Sequence, residues 1–157
     1  MDIKQYLSNN FTLWECIRSE TAARLNIDNT PPKIYIPKLT FLCNEILEPA
    51  RDYFGVPFSP NSVYRCPELN KAVKGQKTSQ HPEAEAVDFE IPGVSNYDLA
   101  VWCKIHFKSF DQLILECYQI GIPDSGWVHL SMKMNKSENR NEVLTFSKNQ
   151  YIAGLIK

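Results

Sequence analysis

The segment "KTSQHPEAEAVDFEI" places a histidine among carboxylates in a chain that has only three histidines. Asp88 follows His81 after seven residues, and Glu83 and Glu85 lie between them. Imidazole and carboxylate groups are ligands of catalytic zinc, which takes three protein ligands and leaves a fourth position for water. The segment therefore indicates either half of a metal site or a solvated acidic turn that leads into a strand.

A second histidine, His129 in "WVHLSM", would complete such a site together with His81 and Asp88. Zinc bound by two histidines and one carboxylate lowers the pKa of its water and polarises a scissile carbonyl. A further carboxylate that is not a ligand must then accept and return the proton of that water. Glu116 in "DQLILEC" is the candidate for this base.

Three strand-like runs carry these groups: "AVDFEI", "DQLILEC" and "WVHLSM". Because strand residues alternate between two faces, each run has an apolar face for the core. The opposite faces carry Asp88, Glu116 and His129, one in each run. The stretch "DQLILECYQIGIPDSGWVHLSM" is typical of an antiparallel hairpin with a loop around residues 120–126. The three groups converge if the strands are neighbours in one sheet, which the periodicity allows but does not establish.

Helical patterns dominate the first half of the chain. "NNFTLWECIRSETA" contains a capping box of Thr12 and Glu15, and "KLTFLCNEILEPARDYFG" has apolar residues at helical spacing. In the second of these, we expect Pro49 to kink or divide the helix and Gly55 to end it. "CPELNKAVKG", with Gly75 as its stop, and "SNYDLAVWCKIHF" predict two further helices.

The remaining stretches complete an α+β pattern, because helices come first and strands follow. "TPPKIYIP" predicts an extended connector and "FSPNSVYR" a strand. "VLTFSKNQYIAG" predicts either a last strand or an ordered tail.

The composition is that of an ordinary soluble protein of one domain spanning residues 1–157, which we expect to be a monomer. Its net charge of -1 argues against nucleic-acid binding. Five scattered cysteines without a C-x-x-C motif predict reduced thiols. The N-terminus lacks a signal-peptide pattern, and no run approaches the length of a membrane helix. We therefore expect synthesis in the cytoplasm and no membrane span.

Four other residues have both a functional and a structural interpretation. Arg65 could hold a substrate carboxylate in a bidentate contact, or form a salt bridge at the surface. Trp127 could be a substrate wall or a packing residue. Cys103 and His106 could form a thiol nucleophile and its base, although two partly buried helix residues are the favoured interpretation.

The combined segments "VYRCPELNKAVKGQKTSQHPEAEAVDFEI", "FDQLILE" and "GWVHLS" resemble the M15 family of zinc D-Ala-D-Ala carboxypeptidases. The closest likeness is to the small branch common in bacteriophage and prophage genomes. The stretches "NFTLWECIRSETAARLNIDNTP" and "LTFLCNEILEPARDYFGVPF" are also typical of this branch, so the resemblance covers nearly the whole chain.

This resemblance implies Zn2+ on His81, Asp88 and His129, with Glu116 as the general base and Arg65 as the clamp on a substrate carboxylate. It also implies that Ser79 binds the substrate backbone. The implied fold is hedgehog/DD-peptidase-like: α+β, with an antiparallel sheet and helices packed on one side. The implied substrate is a peptidoglycan stem peptide cut near a D-amino acid, reached at the cell wall after release by other factors.

Two features depart from the family pattern. Ala84 replaces the glycine of the motif, and we expect this position to require a small residue rather than a positive φ. Many relatives also place the base only a few residues before the last histidine, whereas Glu116 is thirteen residues upstream of His129. Asp124 is therefore the fallback base.

Two functions of different classes follow. The first is a metallopeptidase (a hydrolase of cell-wall peptides, acting as carboxypeptidase or as endolysin-type endopeptidase). The alternative is a module of the same fold that holds zinc or wall peptide without turnover, as in a virion component. An intact Glu116 and Arg65 favour the enzyme.

Overall fold

The computed structural model describes residues 2–157 and has the predicted α+β organisation. Two compact units can be distinguished within it. The first contains the residues up to Gly55 and Ser59–Val87, and it is mainly helical. The second contains Val56–Phe58 and Asp88–Lys157, and it holds most of the β-sheet.

Among its described residues, the first unit contains five α-helices. Their bounds are Leu13–Ile17 (α1), Glu20–Leu25 (α2), Ile36–Leu42 (α3), Glu48–Phe54 (α4) and Pro67–Ala72 (α5). The predicted capping box at the start of α1 is present, because Thr12 accepts from the Glu15 N–H and the Glu15 side chain accepts from the Thr12 N–H. This reciprocal pair satisfies two N–H groups that a helix start leaves without partners.

Pro49 changes the type of its helix without breaking it. A proline inside an α-helix lacks an N–H donor, and its ring collides with the carbonyl four residues earlier. Here a π-helical turn, Cys43–Leu47, lies between α3 and α4 and widens the helix just before the proline. The Glu48 N–H accordingly bonds to the Cys43 carbonyl, five residues back. Gly55 ends α4 in the left-handed conformation, as predicted.

Three local predictions in this unit are wrong. The stretch "TPPKIYIP" is not extended throughout, because a 3-10 turn, Lys33–Tyr35, follows its two prolines and leads into α3. "FSPNSVYR" forms no strand. Lys74, rather than Gly75, takes the left-handed conformation after α5. Gly75 is needed for space instead, since an added Cβ would lie 2.2 Å from the Asn70 Oδ1.

A mixed five-stranded sheet of order β1-β3-β2-β4-β5 carries the predicted site strands. Its strands are Ala86–Phe89 (β1), Gln112–Glu116 (β2), Trp127–Ser131 (β3), Glu142–Ser147 (β4) and Gln150–Ala153 (β5). The helix α6, Asn96–His106, packs against β2 and β3. The apolar face predicted for these strands is fully buried, as Leu113, Leu115, Val128 and Leu130 show.

The β2–β3 hairpin is antiparallel as predicted, whereas β4 lies parallel to β2 and the sheet is therefore mixed. Asp111 and Arg140 connect the starts of these two parallel strands. Asp111 is buried just before β2, and its carboxylate accepts from Arg140 Nε and Nη2 at 3.0 and 2.6 Å. Because Arg140 lies just before β4, this bidentate pair holds the starts of the two strands side by side.

The C-terminal stretch forms strands rather than a tail, with β4 and β5 joined as an antiparallel hairpin. No helix within residues 2–157 combines the length and the apolar character needed to cross a membrane.

Candidate functional site

Glu116 and His129 lie on one face of the β2–β3 hairpin. Ile114 pairs with His129, and Glu116 pairs with Trp127, so these four side chains share a face by the period of two. Glu116 and His129 are diagonal neighbours across the pair, which places the two residues about 7–8 Å apart and their Cβ atoms somewhat closer. His129 is buried and Glu116 is half-buried. The hairpin thus returns Glu116 to His129 despite their separation in sequence.

Asp88 joins the same face from β1. Its Oδ1 lies 2.8 Å from His129 Nδ1, at a hydrogen-bond distance, and both residues are buried. Val87 and Phe89 are also fully buried, as the predicted apolar face of this strand requires. The alternation along β1 therefore directs Asp88 towards His129.

His81 lies in the first unit and is fully buried. Its Nδ1 is 2.7 Å from the Val63 carbonyl oxygen, which can only accept. Nδ1 must therefore carry the proton, and Nε2 carries the lone pair. Histidine ligands of metals are usually oriented by such a bond from the other ring nitrogen to a backbone carbonyl.

The turn that carries His81 ends in a Schellman motif. The Glu85 N–H bonds to the Gln80 carbonyl at 3.1 Å, and the Ala84 N–H bonds to the His81 carbonyl at 3.1 Å. In this motif the residue just before the last donor, here Ala84, adopts the left-handed conformation, and Ala84 has φ 54°. The expectation that this position requires only a small residue is therefore wrong: it requires a positive φ, and it is also fully buried.

Ala84 sets a limit on side-chain size that unfolding measurements can test. We expect Ala84→Val to destabilise the fold by roughly 2–4 kcal/mol, because a β-branched residue in the left-handed region adds strain to overpacking. Ala84→Gly should change stability by less than about 1 kcal/mol, since relief of strain is offset by the lost buried methyl and by glycine's freedom when unfolded.

Urea unfolding of both variants checks this expectation, with exposed Ala23→Val in α2 as the control, which should cost under about 1 kcal/mol. A stable Ala84→Val protein would contradict the requirement for a left-handed, small residue.

His81, Asp88 and His129 together form a group that could hold a metal ion. Each offers one ligand atom, these atoms all lie within 4.8 Å of one another, and all three residues are buried. Two imidazoles and one carboxylate are a donor set that zinc takes in catalytic sites. The donor chemistry and the orientation of His81 by Val63 therefore fit a metal of this kind.

Arg65 and Ser79 both have backbone connections to His81. The Arg65 N–H donates to the His81 carbonyl at 3.4 Å, next to the Val63 carbonyl that orients the imidazole. Ser79 Oγ accepts from the His81 N–H at 3.4 Å. Both side chains are half-buried. These bonds tie the segments around Arg65 and Ser79 to the turn that carries His81.

The loop between β2 and β3 depends on two residues. Gly126 has φ 70°, and an added Cβ would lie 1.9 Å from the Glu116 carbonyl oxygen, so no other residue fits there. Buried Asn96, at the start of α6, donates from its side-chain amide to the carbonyls of Asp124 and Gly126 at 3.1 and 2.8 Å. Asp124 is itself exposed in this loop.

No sequence signal identifies Asn96 as the anchor of this loop. Its partners are backbone carbonyls nearly thirty residues later in the chain, which no local pattern reveals. By holding the carbonyl of Gly126, it fixes the start of β3 at Trp127.

Cys103 and His106 do not form a nucleophilic pair. Cys103 is fully buried, and this burial raises the pKa of its thiol well above the ordinary value. His106 is exposed at the end of α6, and its ring stacks on Trp102 at a centroid distance of 4.6 Å. Both are helix residues, as the favoured interpretation states, but neither is partly buried, since Cys103 is fully buried and His106 is exposed.

The described chain is thus an α+β protein with a buried His/Asp/His group that could hold a metal ion. The family model for Peptidase M15 matches residues 9–131, more than half of the chain. The chain therefore belongs to the peptidase M15 family. Members of this family are typically metallopeptidases. The mixed α+β structure with its five-stranded sheet, together with this membership, is consistent with a hedgehog/DD-peptidase-like fold. No curated protein matches the sequence significantly.

Proposed function

We propose that this protein is a zinc-dependent peptidase that hydrolyses peptidoglycan stem peptides, as a D-Ala-D-Ala carboxypeptidase or an endolysin-type endopeptidase of phage or prophage origin. The buried group of His81, Asp88 and His129 carries this proposal. Residues 1–157 would act as one monomeric peptidase domain, since the family match runs through both compact units. The site of action would be the bacterial cell wall, after release by other factors.

His81, Asp88 and His129 would hold the metal, with Nε2 as the ligand atom of His81 because Nδ1 is committed to the Val63 carbonyl. Zinc bound there would polarise the scissile carbonyl and lower the pKa of the attacking water. The protein contributes a set of ligands that is already brought together, because all three residues are buried and their ligand atoms lie within 4.8 Å of one another.

Glu116 would act as the general base and then as the general acid. Its carboxylate takes a proton from water as the water oxygen forms a bond to the peptide carbon. The same proton passes to the leaving nitrogen as the carbon–nitrogen bond breaks, so the products are a carboxylate and an amine. Its position beside His129 on one face of the hairpin supports this role over exposed Asp124.

Three further residues would bind the substrate. Arg65 is proposed to hold a substrate carboxylate through its guanidinium, and Ser79 to bond to the substrate backbone. The hydrogen bonds that the Arg65 N–H and the Ser79 Oγ make with the backbone of His81 support both assignments. Trp127 is proposed as a wall beside the cut bond, because it pairs directly with Glu116 and is half-buried.

Metal removal tests the proposed function. We expect purified protein to contain about one zinc per chain by elemental analysis and to release D-alanine or shorter fragments from synthetic stem peptides, detected by mass spectrometry. Chelation should remove both the metal and the cleavage, and added zinc should restore both. Zinc binding without cleavage of any stem peptide would favour the non-catalytic binding module, and cleavage unaffected by complete metal loss would refute the proposal.

A further inference from the structure

The second unit carries an apolar surface that continues the row of Glu116 across the sheet. On β2 and β4, Leu115 pairs with Thr145, so the next residues, Glu116 and Phe146, are also neighbours. Phe146 pairs in turn with Tyr151 on β5, and their rings lie 4.6 Å apart. Since paired residues share a face, one row runs from Trp127 through Glu116 and Phe146 to Tyr151.

A second row runs beside the first. Ile114 pairs with both His129 and Leu144, and Leu144 pairs with Ala153. The row therefore begins at a candidate metal ligand and ends at the edge of the sheet with only apolar side chains. We name the outer part of both rows the β4–β5 platform, which consists of Leu144, Phe146, Tyr151 and Ala153.

Exposure increases along these rows towards β5. His129 and Ile114 are buried, Leu144 and Phe146 are half-buried, and Tyr151 is 47% exposed. Burial, together with the nearby charge of the Glu116 carboxylate, raises the pKa of Tyr151, which agrees with their neighbouring positions. The platform is thus an accessible apolar surface that directly adjoins the proposed base.

The hairpin has other anchors on its opposite face, so its stability does not depend on the platform alone. Thr145 points to that face and is fully buried. Its Oγ1 donates to the Gly154 carbonyl at 2.8 Å and accepts from the Ile156 N–H at 3.1 Å. An exposed tyrosine on the other face is therefore available to contact a ligand.

We propose that the β4–β5 platform is a substrate subsite, which binds an apolar side chain of the peptide about three residues from the bond that is cut. This inference rests on the proposed peptidase function. Neighbouring strands are about 4.8 Å apart, so Tyr151, two strands from Glu116, lies about 10 Å away along the row. An extended peptide covers about 3.4 Å per residue and needs about three residues to reach it. The platform lies beyond the family-matched residues 9–131.

Peptides of graded length test the subsite. Two series of synthetic stem-peptide fragments contain the same cleavable bond to D-alanine. One series extends from one to four residues on the amino side of this bond, and the other extends from one to four residues on its carboxyl side. We expect Tyr151→Ala and Phe146→Ala to raise KM about tenfold for peptides with three or more residues on one side, as the loss of an aromatic contact would. For these longer peptides, kcat should stay within about twofold of the wild-type value. For shorter peptides, both KM and kcat should stay within about twofold of the wild-type values.

Matched variants separate binding from folding. Tyr151→Phe keeps the ring and should behave as wild type, and so should Tyr53→Ala, which removes a tyrosine of α4 that is 66% exposed. Thermal unfolding should show that each variant is folded. A uniform effect on all lengths, or none in either series, would overturn the subsite while leaving the peptidase intact. If wild-type protein cleaves no peptide, the proposed function fails and the subsite fails with it.

Discussion

Glu116→Gln should reduce kcat for stem-peptide cleavage by a factor on the order of a hundred to ten thousand, because it removes the group that accepts and returns the proton. Metal content should stay at the wild-type level, since Glu116 is outside the His/Asp/His group. Glutamine preserves the size of the half-buried side chain, so the pairing with Trp127 should persist. Steady-state kinetics and elemental analysis of the same sample measure both quantities.

Two acids on the second unit serve as matched controls. Glu142 lies on the same face of the sheet, where it accepts from Gln112 Nε2 at 2.6 Å, and Glu142→Gln should keep nearly full activity. Asp124→Asn should also remain active, since Asp124 is exposed in the loop. Activity that survives in Glu116→Gln but is lost in Asp124→Asn would transfer the role of base to Asp124. Loss of metal in Glu116→Gln would show a structural role instead.

The face of each site strand could be predicted because alternation is a local property of the chain. The runs containing Asp88, Glu116 and His129 each have one continuous apolar face, and burying that face leaves the polar group on the other side. Their convergence could not be derived in the same way, because it depends on the order β1-β3-β2. The expectation that these three groups converge came from the family resemblance, because a local pattern could not supply it.

Other features depend on contacts between residues that are distant in sequence. Nothing near Arg140 indicates that it binds Asp111, yet this pair accompanies the parallel addition of β4 to β2. The positive φ of Ala84 was missed for a different reason. Alanine carries no sign of a left-handed conformation, which becomes visible only through the hydrogen bonds of the turn.

His81→Ala should abolish stoichiometric zinc binding. Losing an outer partner of a metal ligand costs about 10–100-fold in affinity, and losing a ligand itself should cost more. The loss should be large because catalytic zinc sites take three protein ligands and only two would remain, while the fully buried position of His81 holds its imidazole in place in the wild type. Elemental analysis after dialysis against a mild chelator measures the bound metal, and cleavage of stem peptides should disappear with it.

The third histidine provides the matched control for this experiment. His106 is exposed on α6, so His106→Ala should retain both zinc and activity. Because His81→Ala also removes the bond to the Val63 carbonyl, a second variant, His81→Gln, keeps more of the side-chain volume. Circular dichroism should show both variants folded. Retention of one zinc in folded His81→Ala and His81→Gln would mean that the metal binds elsewhere, and "SQHPEAEAVDFEI" would then be an acidic turn rather than half of the site.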